Sequence, residues 1–114
     1  MPRRRTLTVA VAVAAAALLT ASAAATTRTV QVGDNYFVRA SGVPTVTVRA
    51  GDTVRWKWVG RRPHDLRVAS GPVRFASSTK RTGTYSRVVN RRGTYTIVCD
   101  VHGARDQQMK LVVR

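Results

Sequence analysis

Gly93-Thr94-Tyr95-Thr96-Ile97-Val98-Cys99-Asp100-Val101-His102 is the stretch on which the reading of this chain turns. Tyr95, Ile97 and Cys99 alternate with Thr96, Val98 and Asp100, the period-two signature of a half-buried strand. That strand runs into the single cysteine and, three residues on, one of only two histidines. Gln107, Gln108 and Met109 follow shortly after. A soft thiolate, an imidazole and a thioether or amide at these spacings make a donor set suited to a transition metal. The other histidine, His64, lies far upstream, where a second strand end can supply it.

Working outward, the same alternation recurs. Thr53 to Val59 puts Val54, Trp56 and Trp58 on one face and Arg55 and Lys57 on the other. Thr27–Val32, Tyr36–Val38, Thr45–Arg49, His64–Val68, Thr84–Val89 and Met109–Val113 read as further short extended segments. Gly33-Asp34-Asn35, Ala50-Gly51-Asp52 and Asn90-Arg91-Arg92-Gly93 are turn sequences between them. Residues 69 to 83 carry Ser, Thr and Gly with little periodicity and are expected to form a long irregular connection. Seven or eight short strands with turns and no helical period predict an all-β, antiparallel β-sandwich.

The N-terminus is expected to lie outside that fold. Arg3, Arg4 and Arg5 precede an Ala- and Val-rich apolar run, and Ala21-Ser22-Ala23 and Ala23-Ala24-Ala25 offer small-residue cleavage sites. This is the layout of a secretory signal peptide over residues 1–25, leaving one domain over 26–114. The apolar run is short and dominated by Ala, and a full span needs roughly 20 strongly apolar residues, so no stable membrane span is expected after cleavage. The expected location is extracytoplasmic: secreted, periplasmic or at the cell surface. A domain this small has a core only just sufficient to stand alone. One cysteine cannot form an internal disulfide. In an oxidising compartment it is an intermolecular link, a reactive thiol or a metal ligand.

The chain carries 20 Lys and Arg against 5 acidic residues, a formal charge of +15. Without Arg3, Arg4 and Arg5 the remainder is 17 basic against 5 acidic residues, or +12. Such a surface attracts something acidic, either a partner protein or an anionic cell-surface polymer. Nucleic acid is not expected as a partner, because the chain reads as exported and has no recognition motif.

Taken in order, these segments resemble a cupredoxin, a type 1 blue-copper domain of the plastocyanin and amicyanin kind. The matching residues are Ala50-Gly51-Asp52-Thr53-Val54-Arg55-Trp56, Pro63-His64-Asp65, Gly93-Thr94-Tyr95, and Cys99 with His102. The resemblance spans residues 28 to 113 and implies a Greek-key sandwich holding one copper per chain, cycling between Cu(II) and Cu(I). It implies His64, Cys99 and His102 as the ligands, two imidazoles and a thiolate in a plane with a weak axial donor beyond it. It also implies a one-electron carrier, expected as a monomer, rather than an enzyme.

The axial position is where the sequence departs from the family. Plastocyanin-like loops run C-x2-H-x4-M, and that count from His102 reaches Gln107, with Met109 two residues further. Both fall on the inward parity with Leu111 and Val113. In related domains a second apolar residue two positions after the ligand packs in the core. On that pattern Gln107 is the favoured axial donor, as in stellacyanin-like sites, and Met109 the alternative. Asp65 and Asp100 follow His64 and Cys99 where similar proteins often carry neutral polar residues. The two carboxylates are expected to repel unless Arg61, Arg62 or Arg105 compensates or one stays protonated.

An oxidase or nitrite reductase needs further histidines for a second copper centre, and the chain has none beyond His64 and His102. Two alternatives remain: a copper-binding carrier or buffer without a dedicated redox partner, which differs from an electron carrier in its exchange kinetics, and a metal-free sandwich whose cationic face binds anionic polymers.

Overall fold

The computed structural model describes residues 24–39, 42–103 and 106–114. The expected signal peptide, residues 1–25, lies outside them apart from Ala24 and Ala25. Eight strands form among the described residues, all but the fifth where the alternation predicts: β1 (Thr27–Gly33), β2 (Tyr36–Phe37), β3 (Thr45–Val48), β4 (Asp52–Trp58), β5 (Arg67–Ser70), β6 (Thr84–Val89), β7 (Gly93–Val98) and β8 (Gln108–Val113). In β4 the odd and even positions separate cleanly, with Val54, Trp56 and Trp58 buried and Arg55 and Lys57 exposed. Among the described residues no helix is long and apolar enough to cross a membrane.

The strands pair into two four-stranded sheets, β2-β1-β4-β6 and β3-β8-β7-β5. The expected all-β sandwich is the fold, but its sheets are mixed rather than purely antiparallel. β1 runs parallel to β4, with Val30 opposite Trp56 and Val32 opposite Trp58. β3 runs parallel to β8, with Val46 opposite Leu111. The reason lies in connectivity. After the β1–β2 hairpin the chain crosses to the second sheet as β3 before returning as β4, and parallel neighbours require such a crossover. Alternation reports which face a residue takes, and is silent on which strand lies beside it.

The inward faces interlock through Val30, Val32, Phe37, Val54, Trp56, Leu66, Val68, Ile97, Met109 and Leu111. Trp56 packs at 5.9 Å from both Phe75 and Tyr85, and Phe75 continues to Tyr95 at 6.1 Å. Tyr95 is buried, and its hydroxyl donates to the carbonyl of Arg91 four residues upstream at 2.7 Å. This tyrosine corner ties the turn before β7 to the core.

The fifth segment differs in extent from its prediction. His64–Val68 alternates as expected, with His64, Leu66 and Val68 buried. The regular strand, however, begins at Arg67 and runs to Ser70. His64 is held instead by an isolated bridge to Lys80, its amide donating at 2.9 Å and its carbonyl accepting at 3.0 Å. The connection from residue 71 to 83 is irregular apart from bridges at Ala76 and Lys80.

Candidate metal centre

At one end of the sandwich the last residues of β7 and the segment before β5 meet. Cys99 follows β7 directly, and its amide donates to the carbonyl of Gln107 at 3.1 Å. That bond closes the loop between β7 and β8, so Cys99, His102 and Gln107 all issue from one hairpin. The loop turns at Gly103, whose φ of 81° favours glycine. The Gly103 carbonyl accepts from the amides of Asp106 and Gln107, each at 3.2 Å.

His64 enters from the other side and is fully buried. Its backbone is fixed by Lys80 and by the Trp58 indole, which donates to the His64 carbonyl at 3.0 Å. His64 Nδ1 lies 3.1 Å from His102 Nδ1 and 4.0 Å from Cys99 Sγ, and Sγ lies 3.9 Å from His102 Nδ1. These three side chains form a group that could hold a metal ion. A point equidistant from three atoms so spaced lies about 2.1 Å from each, close to the roughly 2.0–2.1 Å and 2.3 Å that zinc makes to imidazole nitrogen and thiolate sulfur. The triangle therefore has the size of a first-row metal ion. Burial pushes the Cys99 thiol up from its ordinary range, opposed by backbone hydrogen bonding from the Asp65 and His102 amides.

Gln107 and Met109, which parity leaves equivalent, have different partners. Gln107 is fully buried, and its Nε2 donates to the carbonyls of Gly33 at 3.0 Å and Tyr36 at 2.9 Å. Both amide hydrogens are spent, and two carbonyl acceptors fix which end is nitrogen. Its Oε1 is buried and has no hydrogen-bond partner among the described residues. Met109 sits in the core, where its sulfur accepts from the Trp56 indole N–H at 3.5 Å.

The carboxylates depart from expectation. Asp65 Oδ1 accepts from the Asp100 amide at 2.8 Å, so this side chain ties the two donor-bearing segments together. The Asp100 carboxylate turns away into a two-pronged pair with Arg67, Nε at 2.8 Å and Nη2 at 2.9 Å. That pairing holds Asp100 below its usual range, against a smaller effect of burial. The compensating cation is Arg67, rather than Arg61 or Arg62; Arg105 lies outside the described residues.

Arg61 and Arg62 act through their backbones. Their amides donate to Asp34, at 3.1 Å to Oδ2 and 3.0 Å to Oδ1. Asp34 Oδ1 also meets His64 Nε2 at 2.7 Å. The His64 contact above all, then the two amides, hold this carboxyl far below the usual range, with desolvation opposing. Sequence reading gave Asp34 no role beyond its turn. The available signal was an aspartate in a tight turn, which fits many turns that touch nothing.

No family model matches the chain, and no curated protein matches it in sequence. Solved structures do. A methionine-to-glutamine variant of amicyanin with Cu(I) is 24% identical, with a TM-score of 0.63 over 77% of this chain and 82% of that one. A reduced tryptophan-to-tyrosine variant of amicyanin is 22% identical, with a TM-score of 0.65 over 82% and 88%. An oxidised proline-to-glycine variant is 24% identical, with a TM-score of 0.62 over 84% and 88%. The likeness is one of fold: this chain is built as amicyanin is, an all-β cupredoxin sandwich.

Proposed function

We propose that the chain is an exported mononuclear type 1 copper protein that carries single electrons between partner proteins. The observation that carries this reading is the triangle of His64 Nδ1, Cys99 Sγ and His102 Nδ1, buried at two of its corners and sized for a first-row metal ion. Two imidazoles and one thiolate in a trigonal set with a weak fourth donor are the type 1 copper arrangement among the metals such a triangle could hold. His64, Cys99 and His102 are its ligands and Gln107 Oε1 the weak fourth donor, supported by that oxygen's lack of any other partner among the described residues. Copper, when bound, supplies a one-electron couple.

The protein's part is to hold the donors still. The backbone of His64 is pinned by Lys80 and Trp58, and the Cys99 amide by Gln107. Donors that cannot move suit both oxidation states of the metal with little rearrangement. His102 is the donor of the triangle that is only half-buried, which gives electrons a short way out. The cationic surface, +12 without the first arginines, suits an acidic redox partner.

The test is direct. The purified protein is given Cu(II) and examined for an intense visible thiolate-to-copper band with narrow copper hyperfine splitting. The band is expected in the wild type and absent from Cys99→Ser. A colourless wild-type protein ends the copper reading.

A further inference from the structure

The turn between β1 and β2 touches two of the proposed donors. Its Asp34 carboxylate meets His64 Nε2 at 2.7 Å, and its Gly33 and Tyr36 carbonyls hold the amide of Gln107. Resting on the copper reading above, we propose that Asp34 is a positioning residue that fixes the tautomer and orientation of the His64 ring and, through it, the redox balance of the site.

The argument is one of donors and acceptors. An ionised carboxylate can only accept hydrogen bonds, so the proton of the 2.7 Å contact belongs to His64 Nε2. In a neutral imidazole the other nitrogen is then bare. That nitrogen is Nδ1, the atom facing Cys99 and His102. A carboxylate behind a metal-binding imidazole orients the ring and makes it a more basic donor. It also adds a negative charge just beyond the ligands, which favours the more highly charged oxidation state of a metal.

Asp34 is itself held in place. The amides of Arg61 and Arg62 take Oδ2 and Oδ1, so the carboxylate cannot swing away without losing two further hydrogen bonds. Gly60 leaves room for it: a Cβ there would come within 2.9 Å of the Asp34 amide nitrogen. Three fixed hydrogen bonds on one part-buried turn carboxylate exceed what a tight turn needs.

The test has two readouts on the full chain. Nitrogen-detected NMR of the metal-free wild type at pH 8 is expected to show His64 as the Nε2–H tautomer. The Nδ1–H tautomer overturns the proposal. In the copper-loaded protein, Asp34→Asn is expected to weaken the preference for Cu(II) over Cu(I) at least tenfold, about 59 mV for one electron, raising the potential. An unchanged potential in a folded Asp34→Asn protein also overturns it. If that variant fails to fold, the wild-type tautomer decides alone. A wild type that stays colourless with Cu(II) sinks the copper reading, and the tautomer then decides whether Asp34 positions His64.

Discussion

The indole N–H of Trp56 donates to the sulfur of Met109 at 3.5 Å, across 53 residues of sequence and deep in the core. That contact gives the Met109 sulfur a partner within the core. The two strand residues come from different sheets, so the bond also links the halves of the sandwich.

Met109→Leu is therefore expected to leave the visible copper band unchanged. It should cost about 1–3 kcal/mol of stability, because the buried Trp56 N–H loses its acceptor while the volume is nearly conserved. Urea denaturation measures the cost. A variant that loses the band would return Met109 to the ligand set.

Gln107→Met is expected to raise the reduction potential. An amide oxygen is a harder donor than a thioether and favours Cu(II). Replacing it also releases the Gly33 and Tyr36 carbonyls from the side-chain amide that donates to both. Voltammetry of the two proteins decides the matter, and equal potentials would remove Gln107 from the axial position.

Gly60→Ala should destabilise the protein by about 1–3 kcal/mol, the usual cost of overpacking. The added methyl meets Asp34 at its Cγ, 2.7 Å away, and at its amide nitrogen. The β1–β2 turn must shift to admit it. Wild-type stability in this variant would mean that the turn yields freely.

Asp52 gives stability a pH dependence away from the candidate metal centre. Its carboxylate accepts from the amides of Thr26 at 3.0 Å and Arg49 at 2.9 Å, and these bonds lower its pKa from 3.8. A group depressed in the folded state stabilises fully above its unfolded pKa, and that contribution is lost as pH falls through the folded value. The melting temperature of Asp52→Asn should thus lie below wild type at pH 7. The gap should hold down to about pH 5 and narrow below pH 4. A gap of constant size across this range contradicts the assignment.

Much of this was legible in the chain because strand faces and donor residues are local properties. The alternation of β4 and the run from Tyr95 to Cys99 needed no partner to be read. Asp34 was illegible because its meaning comes from His64, 30 residues away. Arg67 was passed over for the same kind of reason: nothing in its strand announces that it faces Asp100, 33 residues on. Gln107 and Met109 share a parity, so only their neighbours distinguish them. One meets two carbonyls and the other an indole. The parallel pairings of β1 with β4 and β3 with β8 depend on where the chain crosses between sheets, which periodicity does not encode.

The hairpin that carries Cys99, His102 and Gln107 has a mechanical consequence, since its partner in the triangle, His64, lies 35 residues before the cysteine. An ion bound there would be a covalent-like staple across that interval, joining the edge of one segment to the closing hairpin. Loop-closure entropy assigns such a cross-link about 4 kcal/mol, what a disulfide of that span would contribute. A chain with a single cysteine cannot make the disulfide, and the staple would serve in its place.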